Sequence, residues 1–310
     1  MKIESVAVLG AGTMGHGIAE LAALSSFNVV LCDISDDLLE KALNSIKDNL
    51  NSLERFGKLK RNSCDTIMQR IKCVKTISAA VASAGLVIEC LPENLELKQK
   101  VFSELDELCK PKVILATNTS GLSPTAIAND LKHPERVVVA HFWNPAQFMP
   151  LVEVVPGERT SKETVDKMVE WVTALGKQPV RMNKECLGFI GNRLQFALLR
   201  EALYIVEQGY AEVEEVDKAV IYGLGRRLPV TGPFCSADMG GLDVFHNISS
   251  YLFADLSNAS EPSKLMRDLV EEGNLGLKSG RGFYDWTPEM KDEMVKLRAE
   301  TLVDFLEKDK

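Results

Sequence analysis

Along the first 180 or so residues, short runs of consecutive apolar positions alternate with longer stretches of helical period. Strands are predicted at 6–9, 29–32, 86–90, 113–116 and 137–140. Helices are predicted at 13–25 and from a Ser35 cap to about Arg55, with further helical stretches between the later strands. A strand apolar on successive positions has no solvent side, so these strands belong in a parallel sheet covered on both faces. Residues 151–155 and 180–182 read as late strands around a helix near 163–175. Beyond residue 185 the period changes. Leu194, Leu198, Ala202 and Ile205 recur at helical spacing, as do Val213, Val216 and Val220, and strand-like runs become rare. The segment 183–188 is the natural joint. The fold class expected is α/β: a doubly wound, mostly parallel sheet over 1–185, then an all-α domain over 186–310. A last helix, 288–306, gathers Met290, Met294, Leu297 and Phe305 near one face, which suits packing on the subunit or its partner.

Composition excludes several functions. A chain of 310 residues suits two domains. Its 36 basic and 44 acidic residues leave a net charge of −8, a poor footprint for binding nucleic acid or anionic lipid. No apolar run is long enough to span a bilayer, and no signal-peptide core precedes the first strand, so no membrane association is expected. The seven cysteines are widely spaced and form no C-x-x-C pair. That argues against a disulfide framework or a metal site and fits a reducing, cytoplasmic setting.

The first strand runs into Gly10-Ala11-Gly12-Thr13-Met14-Gly15, a G-x-G-x-x-G turn. Gly10 permits the tight turn, Gly12 lets backbone approach a pyrophosphate, and Gly15 lets helix pack on strand. The helix opening at Thr13 and Met14 offers amide groups and a positive dipole end to an anion. Asp33 lies 18 residues beyond Gly15, at the end of the second strand. A carboxylate there accepts from a ribose 2′-hydroxyl and repels a 2′-phosphate, so the expected cofactor is NAD rather than NADP. The competing reading is a glycine turn with an unrelated Asp.

Hydride transfer from an alcohol also releases a proton, so the site needs a group to take it. His141 ends the 137–140 strand, within His141-Phe142-Trp143-Asn144-Pro145, and ligands of parallel sheets bind at strand carboxyl ends. It either moves that proton or caps a turn. Glu153 interrupts an apolar strand, Leu151-Val152-Glu153-Val154-Val155. Either it is buried against a partner such as an imidazole, or it points from an edge strand into water. Asn118 and Ser120 leave another strand end, and Asn192 opens the first helix of the second domain; each faces the cleft or serves as a local cap.

Taken together, G-A-G-x-M-G, Pro92-Glu93-Asn94, Asn118-Thr119-Ser120, H-F-W-N-P, L-V-E-V, G-F-I-G-N-R and Lys278-Ser279-Gly280-Arg281-Gly282-Phe283-Tyr284 follow one order over residues 3–286. This set resembles the 3-hydroxyacyl-CoA dehydrogenase family. The resemblance implies a Rossmann-like N-terminal domain and a helical C-terminal domain that carries a homodimer interface. It implies His141 as general acid/base and Glu153 as its orienting partner, with Ser120 and Asn192 on the substrate oxygen. It also implies nicotinamide-cofactor contacts from Glu93, Lys98, Asn118 and Lys278.

The chain departs from the family pattern in places. Pro150 stands where the family usually has Lys, Gly121 where it has Ser, and Cys235 where it has Glu. Asn49 falls where a Ser often faces CoA, while Lys58, Lys60 and Arg61 either meet CoA phosphates or are the solvated end of a helix. The leading expectation is NAD-dependent oxidation of a 3-hydroxyacyl-CoA. Its first alternative is the same chemistry on a free hydroxy acid or pyridine-ring substrate, as in relatives that oxidise L-gulonate or carnitine. The second is a non-enzymatic NAD-binding structural protein, as λ-crystallins illustrate; the joint presence of His141, Glu153, Ser120 and Asn192 argues against it.

Overall fold

The computed structural model describes residues 3–55 and 57–308. The chain begins β1 (Ser5–Leu9), α1 (Thr13–Leu24), β2 (Asn28–Cys32), α2 (Asp36–Arg55), α3 (Cys64–Met68), β3 (Ile71–Val74), α4 (Ile77–Val81) and β4 (Leu86–Glu89). It continues α5 (Leu95–Leu108), β5 (Ile114–Thr117), α6 (Pro124–Ile127), β6 (Val137–Phe142), β7 (Leu151–Pro156), α7 (Lys162–Ala174) and β8 (Gln178–Arg181). Then come only helices: α8 (Gly191–Glu207), α9 (Val213–Ala219), α10 (Gly225–Arg227), α11 (Pro233–Gly240), α12 (Leu242–Leu252), α13 (Lys264–Glu271) and α14 (Pro288–Lys308).

The eight strands form one sheet in the order β3-β2-β1-β4-β5-β6-β7-β8. Neighbours from β3 to β6 pair in parallel; β7 runs antiparallel to β6, and β8 parallel to β7. The chain moves outward from β1 to β3, returns to β4 on the other side of β1, and so creates a switch point at the strand carboxyl ends. This is a Rossmann-like, doubly wound sheet followed by helices. Val6 and Val8 of β1 join one core layer with Ile18 of α1, Ile46 of α2 and Trp171 of α7. Ala7 and Leu9 join the opposite layer with Phe102 and Leu105 of α5 and Ile127 of α6. Alternate side chains of one strand feed two cores, which is why these strands carry no polar face.

Two local features differ from the sequence reading. β3 was not foreseen. It is a four-residue strand on the sheet edge, partly exposed, with Lys72 breaking its apolar run. β6 extends through Phe142, because the antiparallel partner β7 continues the ladder past Ala140. His141 therefore sits inside a strand rather than after it.

The chain divides into two compact units. One comprises the chain up to Ile190 together with the segment from Ala299; the other is Gly191–Arg298. The division between these units falls at 190/191, with the end of α14 grouped with the first unit. Residues up to 190 stay with the first unit for a packing reason: Phe189 is buried against Val139, Val155 and Met182. In the second unit, Leu203 and Val216 are the buried hydrophobic residues among those described. No helix among the described residues is long and apolar enough to cross a membrane.

Candidate active site

The glycine turn joins β1 to α1 at the switch point. Gly10 has φ +100°, and a Cβ there would lie 2.7 Å from the Cys90 carbonyl oxygen. A Cβ on Gly15 would meet the Gly10 carbonyl oxygen at 1.8 Å, so α1 packs against the turn only because that position is bare. Gly12 faces open space. No side chain caps α1 and its first turn, opened by Thr13 and Met14, holds no acidic residue, so its amide groups and dipole are available to an anion. Asp33 closes the turn: Oδ2 accepts from the Ala11 amide at 2.8 Å and Oδ1 from Ser35 N–H at 3.1 Å. Beside it, Ile34 is 86% exposed, an apolar surface that sequence reasoning passed over. An open glycine, an uncapped helix end and a fixed carboxylate are the donor and acceptor set a dinucleotide requires.

The ends of β4 and β5 carry a polar network. Lys98, only 1% exposed, donates to Glu89 Oε1 at 2.7 Å, Glu89 Oε2 at 2.9 Å and the Leu91 carbonyl at 3.3 Å. Glu89 also accepts from Thr117 Oγ1 at 2.6 Å. A buried ion pair persists only when its remaining valences are filled, and here they are. Lys98 stands 3.5 Å from Glu93 Oε2, so its charge reaches the crevice through that half-exposed carboxylate. Glu93 in turn accepts from Thr119 Oγ1 at 2.5 Å and from Ser120 N–H at 3.0 Å and Oγ at 3.3 Å. Burial pushes the Glu93 carboxyl up, but Thr119, the Lys98 charge and the Ser120 amide outweigh it and hold it below the ordinary range. Asn118 Oδ1 accepts from the Phe142 amide at 2.8 Å and so ties β5 to the end of β6.

His141 and Glu153 are register partners across the antiparallel β6–β7 pair. His141 Nδ1 lies 2.8 Å from Glu153 Oε2, and Glu153 is fully buried. Glu153 also accepts from Trp143 Nε1 at 3.2 Å and from the Ile190 amide at 2.8 Å. The Ile190 amide reaches it because the chain turns through Gly188 at φ +75° and Phe189 at φ +52°. A bulky residue holds that φ only when its surroundings fix it; the Phe189 ring is buried, its centroid 5.6 Å from that of His141. With Nδ1 engaged by the carboxylate, Nε2 is the nitrogen left for proton transfer.

The structure thus gathers Gly10, Gly12, Gly15, Asp33, Glu93, Lys98, Asn118, Ser120, His141 and Glu153 on the carboxyl-end side of one sheet. Asn192, near the start of α8, and Lys278, in the segment between α13 and α14, lie in the second unit. Sequence reasoning missed Glu89, Thr119, Trp143 and the Ile190 amide. A cavity of about 430 Å³ between the far ends of β7 and β8, lined by Pro156, Lys162, Arg181 and Glu185, lies away from this constellation.

Comparison with known proteins agrees with this architecture. Residues 5–186 match the 3-hydroxyacyl-CoA dehydrogenase NAD binding domain, and residues 188–286 match the C-terminal domain of the same family. The chain belongs to the 3-hydroxyacyl-CoA dehydrogenase family and is an NAD-dependent dehydrogenase acting on CH–OH. It is 42% identical over 301 residues to a 3-hydroxyadipyl-CoA dehydrogenase of Escherichia coli K12, covering 96% of this chain but only 62% of that longer protein. It is 35% identical over 302 residues to a 5-formyl-3-hydroxy-2-methylpyridine 4-carboxylate 5-dehydrogenase of Mesorhizobium japonicum, covering 97% and 96% of the two chains. A crystal structure of a dehydrogenase for that pyridine acid, described as an NAD+ dependent dismutase, superimposes with a TM-score of 0.90 at 34% identity, covering 99% of both chains.

Proposed function

We propose that this protein oxidises the 3-hydroxyl of an acyl-CoA thioester to the 3-oxo group, and catalyses the reverse reduction. The observation that carries the chemistry is the buried His141–Glu153 pair at the carboxyl end of β6. Bound NAD supplies the hydride acceptor. Gly10, Gly12, the first amides of α1 and Asp33 would hold the dinucleotide, and the exposed Ile34 would offer it an apolar face. Glu93, set by Lys98 and Thr119, and Asn118 line the nicotinamide side. His141 Nε2 takes the hydroxyl proton as hydride leaves carbon. Glu153 keeps Nδ1 protonated and steadies the imidazolium that forms. The Ser120 hydroxyl donates to the substrate oxygen, where charge changes most. The thioester reading is supported by the identity to the E. coli relative. The protein functions as a homodimer through its helical unit, in a reducing cytoplasm.

A second reading has its own support. The superposition on the pyridine-acid dehydrogenase covers both chains almost completely, and Pro150 replaces a lysine usual in the thioester enzymes. On this reading the same residues act on a substrate carrying a free carboxylate. Purified protein assayed with acetoacetyl-CoA and NADH, 3-hydroxybutyryl-CoA and NAD, and the pyridine acid with NAD separates the two. Turnover of the thioesters is expected. Turnover of the pyridine acid alone overturns the thioester assignment and leaves the proton relay standing.

A further inference from the structure

A second buried carboxylate lies behind the site, on the helix that opens at the glycine turn. Glu20 of α1 is fully buried; its Oε2 accepts from Asn49 Nδ2 of α2 at 2.9 Å, and its Oε1 has no hydrogen-bond partner. Its electrostatic neighbour is Lys177, a buried ammonium on the turn before β8. Lys177 Nζ donates to the carbonyls of Gln147 at 3.2 Å and Met149 at 3.0 Å. Both carbonyls belong to the loop from Trp143 to Pro150 that links β6 to β7. The opposite wall of that loop is α1 itself, where a Cβ on Gly17 would lie 3.2 Å from Ala146 Cβ and 3.0 Å from Gln147 Oε1. The same loop begins at Trp143, whose indole donates to Glu153 Oε2, the oxygen that faces His141. Burial drives the Glu20 carboxyl up to about 7 and the Lys177 ammonium down to about 8, each against the pull of the other's charge. A cation kept in so dry a place, with two loop carbonyls as its acceptors, holds those carbonyls in one arrangement.

We propose that Lys177 is a positioning residue for the reaction: through its bonds to the Gln147 and Met149 carbonyls it fixes the β6–β7 loop so that the Trp143 indole stays on Glu153. Lys177 touches no reacting atom. It acts through the loop, the indole and the carboxylate on the His141 ring. The assignment rests on the His141–Glu153 relay proposed above. It has a directional consequence. An indole donor draws charge from Glu153 Oε2. Loss of that donor loosens the carboxylate that orients the His141 ring, and so lowers the rate of proton transfer.

The test uses full-length protein with NAD present. The chain has three tryptophans, so its ¹H–¹⁵N spectrum contains three indole resonances, and Trp143→Phe identifies the one that matters. In Lys177→Met the Trp143 resonance is expected to shift while those of Trp171 and Trp286 stay. In the same variant kcat is expected to fall about 10-fold from misplacement of a base that is still present, with KM little changed. Trp143→Phe should lower kcat in the same way, and adding Lys177→Met to it should lower it little further. A folded Lys177→Met with an unmoved Trp143 resonance and an unchanged kcat overturns the proposal, whereas a merely structural role lowers stability and leaves both unchanged. If Lys177→Met does not fold, Lys177→Arg is read by the same two measurements, because it displaces the donors while keeping the charge. Failure of the relay reading shows itself separately, as full activity in His141→Gln with the Trp143 resonance unaltered.

Discussion

A strand histidine becomes a proton carrier only when its surroundings choose its tautomer. For His141 that choice is made by one oxygen of Glu153, while the other oxygen is held by the Ile190 amide. In the proposed relay, removing the imidazole removes the base, and general acid–base catalysis is worth about 10²–10⁴-fold. His141→Gln is therefore expected to lower kcat by that factor with little effect on NAD affinity, which depends on the glycine turn and Asp33. Glu153→Gln should also lower kcat, since the amide keeps the shape but not the charge. The losses should combine to much less than their product, because each residue acts through the other. Steady-state rates for the two single variants and the double variant decide this, and near-normal kcat in either single variant contradicts it. Glu153 was legible in the sequence because a carboxylate in an apolar strand demands a partner. The residues alone left that partner open and the family resemblance implied His141, because the pairing depends on β7 running antiparallel to β6 and on their register. Glu89 carries the same signal, an acidic residue ending the apolar run Leu86-Val87-Ile88, and its pairing with Lys98 explains why that lysine is buried rather than at the surface.

Among the elements, α1 combines two demands. Its first turn must stay bare for an anion, and its body must pack tightly between sheet and α2, which leaves Glu20 buried. In the unfolded chain Glu20 loses its proton near 4.5; in the folded protein it keeps it to about 7. Between those values the folded state binds more protons than the unfolded one, so stability falls as pH rises, by at most about 1.4 kcal/mol per pH unit. Lys177 contributes in a different window. Its folded value of about 8 lies below the ordinary 10.5, so its effect on the slope begins above pH 8 and has the opposite sign. Urea unfolding at pH 5, 6 and 7 isolates the carboxylate. Wild type is expected to lose stability relative to Glu20→Gln across that range, by about 3 kcal/mol at most, and parallel curves contradict the burial argument. The pattern of elements was readable because strands with two buried faces and helices of amphipathic period follow directly from the sheet being covered twice. β3 escaped because four partly exposed residues around Lys72 produce no such pattern. Glu20 escaped because an acidic residue among apolar helix positions reads equally well as a solvent stripe until the packing of α2 is known.

At the scale of the whole molecule the two units differ in how much apolar surface they bury. The sheet unit has two continuous core layers. In the helical unit, Phe234 is 88% exposed, Phe253 72%, and Tyr251, Met239 and Leu242 more than half. A single chain in water rarely leaves that much aromatic and aliphatic surface uncovered. A net charge of −8 is a poor match for nucleic acid or anionic lipid, whereas a second copy of the same face, as proposed above, would cover it with two-fold symmetry and self-complementary side chains. Met290, Met294 and Leu297 of α14 are exposed as well. The homodimer proposed above is thus expected to persist at micromolar concentration, since an obligate interface buries about 2,000 Å² or more. Light scattering after size exclusion should return twice the mass of one chain. Phe234→Glu combined with Phe253→Glu places two carboxylates in the patch, where an unpaired buried charge is costly, and should shift the mass toward that of a single chain. The sheet unit is untouched by those substitutions, so NAD binding should survive in the variant. Wild-type protein that runs as a single chain at every concentration contradicts the dimer and leaves the exposed aromatic face to some other partner.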